Sequence, residues 1–335
     1  MGKKTALTLE DIARLANVSK STASRALNDS PLISQETRER IQAIAREQDF
    51  CLNVAARNLS LRQSHTVAFV APSAEVFYAE DLFGLELLSG IGNALHALGY
   101  ELLIMHVTSH GNAWARTYLD SGRVDGFILL TPNHKPSRIR ALSEMNVPFI
   151  VWGLPGPRYN YSTVMGDNIA GGRLAAQHLI DRGRRRIAFL GGPRDDPEVQ
   201  HRFQGFENAL QAVGISLNRS WLAYGDWFFE SGIAAMRQLL KQASDLDAVF
   251  ACSDFMALGA IQAIQDSGKR VPDDIAVVGY DDLPVALYNN LPLTTIRQDV
   301  ALAGKLLAQN LIQYIKAGVV TNVTLPVELV VRKST

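Results

Sequence analysis

The sequence predicts a small all-α head followed by a larger body of parallel α/β sheet. Two patterns and a length carry this expectation. The first sixty or so residues hold three short stretches with helical apolar spacing. From Thr66 onward, short apolar runs alternate with amphipathic segments, which is how strand–helix units building a parallel sheet read. The chain has 335 residues, and roughly 270 residues of such units are better housed in two lobes than in one sheet.

Composition bounds the possibilities. Apolar residues make 47% of the chain and charged residues 20%, with 33 basic against 33 acidic side chains, which excludes a disordered or collagenous chain. No apolar run approaches the roughly 20 residues that span a bilayer, so no membrane association is expected. Met1 to Thr5 lead into polar, patterned sequence without a signal-peptide core, and a cytoplasmic protein is expected. Cys51 and Cys252 lack metal-ligand spacing and read as free thiols in a reducing compartment. Up to Arg62, ten basic residues face seven acidic ones, and the rest of the chain carries the matching acidic surplus. A basic head on a mildly acidic body fits a nucleic-acid module joined to something else.

The first helix opens at Thr8-Leu9-Glu10-Asp11, a capping box, and continues with Ile12, Leu15 and Ala16 as its apolar positions. Ser19 caps the second, whose inner face is Ala23, Ala26 and Leu27, leaving Lys20, Ser21, Thr22, Ser24 and Arg25 free to point outward. Asn28-Asp29-Ser30-Pro31 is a turn, and Ser34 opens a third helix with Ile41, Ile44 and Ala45 buried. Two short helices, a tight turn and a third helix make the helix-turn-helix plan, with a polar helix suited to a major groove. A generic three-helix bundle with a solvated face is the alternative.

The stretch TLEDIARLANVSKSTASRALNDSPLISQETRERI resembles the DNA-binding head of the LacI/GalR (lactose-repressor/galactose-repressor) family of bacterial transcription regulators. The resemblance implies that Lys20, Ser21 and Arg25 face base edges while Thr22, Ser24 and Asn28 hold phosphates, with Thr8 counted in the DNA surface. Ala23 departs from the usual valine. The next segment, Asn53-Val54-Ala55-Ala56-Arg57-Asn58-Leu59, can form about two helical turns, marginal alone, and an ordinary linker is the alternative. In the family it folds on DNA. That carries DNA-binding roles onto Asn53, Ala56, which lets two hinge helices approach, and Leu59, which wedges into the minor groove. Leu52 departs from the usual proline.

In the body, strands are expected at Thr66–Ala71, 102–107, 127–130, Phe149–Trp152, 186–190, 221–224, 249–251 and 275–278. Helices are expected at 82–98, 169–180, 203–213, 233–240 and 256–264. VMGDNIAGGRLAAQHLIDRGRRRIAFLGG, RFQGFENAL, AVVGYDDLPVAL and PLTTIRQD resemble the same family, so the resemblance covers essentially the whole chain. It implies a two-lobed, periplasmic-binding-protein-like (type I) fold with parallel sheets and three crossings between lobes. The implied domains are a head at 1–50, a hinge at 51–64, one lobe from 65–165 with 298–320, and the other from 166–297 with 321–335.

Ligands in such folds sit where strand C-termini face a cleft. That rule selects Ser73, Trp152, Asp167, Arg202, Trp227, Ser253, Asp281 and Gln298 as effector-site candidates. An arginine facing an aspartate can clamp vicinal hydroxyls, and a tryptophan can stack on a pyranose. The resemblance assigns the clamp to Arg202 and Asp281 and an aromatic wall to Trp227. An internal salt bridge, or plain core for Trp152 and Trp227, is the alternative. Ser253 departs from the usual asparagine, and Gly153 supplies no charge where some relatives have one. A sugar or glycoside is favoured as effector, with a purine as the alternative.

Enzyme readings find little support. Gly171-Gly172 and Gly191-Gly192 fit no phosphate-loop motif and read as packing or turns. His106 and His110 do not converge after a strand. In the pairs Asp195-Asp196 and Asp281-Asp282, a turn acid and a helix cap account for the second member of each. No catalytic residue, metal site or cofactor is expected. The expected function is a ligand-responsive, sequence-specific DNA-binding regulator, a repressor by preference. Its partners would be a palindromic double-stranded operator, a small-molecule effector and a second copy of itself. No heptad tail follows the last body strand, so a tail-made tetramer is not expected. The competing readings are a sugar-binding protein of transport and an α/β sugar-modifying enzyme.

Overall fold

The structure is a computed structural model that describes residues 7–50, 63–71, 81–107, 113–130, 136–156, 161–243 and 245–335. Cys51, Leu52, Asn53, Ala56, Leu59, Ser73 and His110 lie outside them. The chain divides into two units, Met1–Ser64 and His65–Thr335.

The first unit holds α1 (Leu9–Leu15), α2 (Lys20–Leu27) and α3 (Gln35–Glu47). Each starts where a hydroxyl caps it. Thr8 accepts from the Asp11 amide while Asp11 accepts from the Thr8 amide, and Ser19 and Ser34 cap the next two. Ile12, Ala16, Ala26 and Ile41 close the core, with Leu27 and Ile44 packed on it. Leu15, expected on the buried stripe, is 53% exposed. The stripe is narrower than its spacing suggests because small alanines bring the helices together.

Among the described residues, the second unit contains two six-stranded sheets. The first has the order β11-β5-β4-β3-β1-β2, all parallel. Its strands are β1 (Thr66–Ala71), β2 (Glu101–His106), β3 (Gly126–Leu130), β4 (Phe149–Trp152), β5 (Ser162–Gly166) and β11 (Asn322–Leu325). The second has the order β12-β10-β9-β8-β6-β7. It comprises β6 (Ile187–Gly191), β7 (Leu222–Tyr224), β8 (Ala248–Ala251), β9 (Ala276–Asp281), β10 (Thr294–Arg297) and β12 (Glu328–Val330). Only β12 runs antiparallel to its neighbour, β10. Helices α4 (Leu82–Ala97), α5 (Ala113–Asp120) and α6 (Pro136–Glu144) follow strands of the first sheet, and α12 (Val300–Ala317) packs back onto it. The second sheet carries α7 (Asn168–Asp181), α8 (Pro197–Ala212), α9 (Phe229–Gln242), α10 (Asp254–Asp266) and the short α11 (Pro284–Tyr288).

The chain passes between sheets after Gly166, after Arg297 and after Leu325. The last crossing corrects the expected boundary at 320/321, because 322–325 pairs in register with Thr163–Gly166 of the first sheet. Helix α8 also begins earlier than expected, at Pro197, where proline suits the first turn and Asp196 caps it. Arg202 therefore lies inside the helix rather than opening it.

Candidate functional site

In the head, Lys20, Ser21 and Arg25 are exposed on α2, opposite buried Ala23 and Ala26. The Lys20 ammonium lies 3.3 Å from Glu10, an exposed pair worth little in water. Thr22 and Ser24 are half-buried. The hydroxyls of Ser19, Ser21 and Thr22 form a chain with 2.8 Å contacts at the helix start. The Thr8 hydroxyl is committed to Asp11 at 2.7 Å. Asn28 turns its amide donor onto the Ser24 carbonyl at 2.7 Å and leaves its buried Oδ1 unpartnered. Two cations and short polar groups thus share one helix face, which suits phosphates and guanine edges.

In the body, glycines position the central arginine. A β-carbon at Gly172 would overlap the Arg202 carbonyl, and one at Gly205 the Ile169 carbonyl, so α7 and α8 touch backbone to backbone. That approach puts Arg202 against Asn168. Arg202 is 3% exposed. Its Nε donates to Asn168 Oδ1 at 2.7 Å and its Nη1 donates to the Cys252 carbonyl at 2.5 Å. Its guanidinium carbon lies 3.7 Å from the Tyr280 ring centre and 5.4 Å from that of Trp227. Burial opposes its charge, but Tyr280, Asp281 and Glu198 outweigh that and raise its proton affinity.

Trp227 follows β7 with φ 84° and is half-buried, its ring lying over Gly192, where a β-carbon would stand 2.8 Å away. Asp281 ends β9 with φ 112°. Gln298 Nε2 donates to Asp281 Oδ1 at 2.8 Å, while Gln298 Oε1 is buried without a partner. Burial pushes the Asp281 carboxyl up to about 7 despite Arg202 and Gln298, with Asp81 and Glu86 adding to the rise. Among the described residues no ion pair joins Arg202 to Asp281. The guanidinium's partner is instead Glu198, whose Oε2 lies 3.7 Å from Nη2. The internal Arg202–Asp281 salt bridge is therefore absent.

Four of the residues singled out in the sequence have structural partners in the body. Trp152 is 1% exposed in the first lobe's core against Phe83, with ring centres 5.7 Å apart, so it walls no open cleft. Ser253 caps α10 and donates to the Trp227 carbonyl at 2.8 Å, which commits its hydroxyl to support. Asp167 caps α7 through the Ala170 amide at 2.9 Å. Asp282 caps nothing: it pairs with Arg297 at 2.6 Å and Arg332 at 2.5 Å. The structure thus gathers Arg202, Trp227, Ser253, Asp281 and Gln298 and leaves Trp152 apart.

Sequence reasoning missed Glu198, Asn168, Tyr280 and Asp254. Glu198 and Arg202 are four apart, a spacing that signals a helical pair once the helix start is known. Buried Asp254 accepts from the Leu283 amide at 2.8 Å and the Thr295 hydroxyl at 2.5 Å, bracing the turn after Asp281. No group of three metal-ligating side chains occurs among the described residues.

Residues 8–53 match the family described as bacterial regulatory proteins, lacI family, and residues 176–335 match the periplasmic binding protein-like domain. The sequence is 40% identical over 339 residues to the HTH-type transcriptional regulator CelR of Thermobifida fusca, covering 98% of each chain. The chain belongs to the LacI family. Another LacI-type relative, the ribose operon repressor of Escherichia coli strain K12, is 34% identical over 92% of this chain and 93% of its own. Among solved structures, a transcriptional regulator CelR–cellobiose complex matches with a TM-score of 0.76 at 36% identity, covering 98% of this chain and all of that one. The lac repressor dimer bound to operator and the anti-inducer ONPF matches with a TM-score of 0.85 at 30% identity over 99% of each chain. The chain is a DNA-binding transcriptional regulator with a LacI-type head and a two-lobed, type I periplasmic-binding-protein-like body. No helix among its described residues is long and apolar enough to cross a membrane.

Proposed function

We propose that this LacI-family regulator is a cytoplasmic repressor, that it binds a near-palindromic operator as a homodimer, and that a sugar or glycoside held by the body controls that binding. A two-fold dimer requires matching half-sites. Lys20, Ser21 and Arg25 read base edges in this scheme, Thr22 and Ser24 hold phosphates, and Leu59 wedges at the centre. The observation that carries the effector reading is the cluster of Arg202, on helix α8, with Trp227, Asp281 and Gln298 at or just after strand C-termini, a half-exposed ring beside buried donors and acceptors. Hydroxyls on one face and C–H on the other are what such a cluster recognises. The likeness to a regulator holding cellobiose supports a glycoside. The relatives are regulators, which supports a chain that performs no catalysis.

Gel shifts of the full chain on genomic fragments test this. Sequence-selective binding is expected, and Arg25→Ala loses about 1–3 kcal/mol of it, roughly 5- to 150-fold. Indifference to nucleotide order, with and without cellobiose or ribose, would sink the reading.

A further inference from the structure

Two opposite charges of the head meet across helices. Lys20 opens α2 and Glu10 lies on α1, yet Lys20 Nζ donates to Glu10 Oε2 at 3.3 Å. The side chains are 62% and 76% exposed, so the pair adds little to stability. Neighbouring acids are engaged elsewhere: Asp11 with Thr8 and Arg14, Asp29 with Gln42. The Glu10 carboxylate has no other polar partner among the described residues. A carboxylate beside a cation that approaches phosphates weakens attraction to DNA in general. It is favourable only where the duplex offers it a hydrogen.

One base-pair edge does so beside an acceptor. In a G·C pair, one hydrogen of the cytosine N4 amine bonds guanine O6 and the other points into the major groove. Acceptor and donor therefore lie side by side, about 2.9 Å apart, the length of that hydrogen bond. Lys20 and Glu10 present the complement, a donor beside an acceptor at 3.3 Å. The ammonium has three hydrogens, enough for Glu10, O6 and the neighbouring guanine N7. The reversed pair C·G, and A·T, set a donor against the ammonium and an acceptor against the carboxylate. T·A keeps the order of donor and acceptor. It puts a methyl where guanine has N7, and adenine N7, an acceptor, beside the carboxylate.

We propose that Glu10 and Lys20 act as one reader of a single G·C pair in each half-site, Lys20 donating to guanine and Glu10 accepting from cytosine N4. Glu10 is thereby a specificity-determining residue of the head. This rests on the reading of Lys20 as a residue that meets base edges, which brings an oxygen 3.3 Å from its ammonium to the same edges.

Selection of bound sequences from a randomised duplex library, with the full chain and its variants, tests it. Lys20→Ala is expected to flatten one position of each half-site, and that position is G·C for the wild type. Glu10→Ala flattens the same position about tenfold. It leaves the preferences lost in Arg25→Ala intact, which also shows a folded head. On a selected site, N4-methylcytosine at that position keeps the base pair but replaces the groove-facing hydrogen with a methyl. It weakens the wild type about tenfold and Glu10→Ala far less. Should Glu10→Ala bind no duplex, the methylated site with the wild-type chain carries the test. A wild-type preference other than G·C at the Lys20 position, an unchanged Glu10→Ala profile, or undiminished binding to the methylated site overturns the paired readout and leaves the regulator standing. If Lys20→Ala moves no position, Lys20 reads no base and the proposal falls with that assignment. If the wild type selects no sequence, the reading as a sequence-specific regulator falls, and this proposal with it.

Discussion

Asp281 and Asp282 both adopt positive φ, 112° and 60°, where L side chains rarely settle and where strain costs about 1–3 kcal/mol per residue. The neighbours hold them there: Gln298 on the Asp281 carboxyl, Arg297 and Arg332 on Asp282, and Asp254 on the amide of Leu283. Such over-determined strain is characteristic of ligand clamps. Asp281→Ala is therefore expected to abolish the effector response with operator binding intact, and to weaken sugar binding about tenfold or more, the scale of a charge-assisted hydrogen bond. Unchanged affinity in a calorimetric titration would remove Asp281 from the clamp. Burial also pushes Glu198 up to about 8, with Asp196 and Asp281 adding to the rise and Arg202 opposing it. Tyr280, Asp281 and Cys252 are the other titratable groups coupled to the same guanidinium. A raised carboxyl means the native state keeps a proton that the unfolded chain, titrating near pH 4.5, has already released. Stability from this group is full below that value and is lost as the pH rises through about 8. His178 acts oppositely: burial lowers it, so its contribution is lost only as the pH falls below its ordinary range. Thermal unfolding between about pH 6.5 and pH 8.5 isolates the acids. Glu198→Gln is expected to melt above the wild type at the alkaline end and to converge with it toward the acid end. Parallel curves would show that Glu198 ionises normally.

At the scale of elements, the contact of α7 with α8 decides where Arg202 stands. Gly172 and Gly205 are the backbone-to-backbone points, and an added methyl at either meets a carbonyl rather than a yielding side chain. Gly205→Ala is expected to cost about 1–3 kcal/mol, as overpacking does, and to lower the melting temperature by about 2–4 °C per kcal/mol. Sugar affinity should fall with it, because Arg202 moves off Asn168; a variant that melts lower yet binds sugar normally would uncouple the helix contact from the site. This contact also shows what sequence could and could not reveal. Helix starts at Thr8, Ser19 and Ser34 were legible because capping is local chemistry. Strands such as Phe149–Trp152 were legible as fully buried apolar runs. Ser162–Gly166 and Thr294–Arg297 were not, since their hydroxyls and glycine hide strands that are nevertheless largely buried in the sheets. The helix Val300–Ala317 also went unplaced. Arg202, Trp227 and Asp281 followed from the strand-end rule together with the family resemblance. Glu198 and Tyr280 did not, because a buried acid and a ring under a guanidinium exist only once α7 and α8 have packed. Trp152 fell to the core because the same rule cannot tell a strand's last buried residue from its first exposed one.

For the whole molecule, regulation is a coupling free energy between operator and effector, and linkage makes it reciprocal. If a sugar changes operator affinity by some factor, operator must change sugar affinity by the same factor. The expected size is about 5- to 150-fold, from about 1–3 kcal/mol. Gel shifts with and without saturating sugar give one side of the cycle, and calorimetry with and without operator DNA gives the other. Both belong at one salt concentration, because contacts to DNA phosphates release counterions and make affinity fall with ionic strength. Asp281→Ala should bring both factors toward unity together, since a ligand that loses its differential grip on the two states shifts neither. A sugar that lowers operator affinity while operator leaves sugar affinity untouched would break the cycle. Competition for the head and ligand-linked assembly are reciprocal too, so it would show that the site titrated by calorimetry is not the one that acts on operator binding, and the body would then have to be read as a binding module without control over the head.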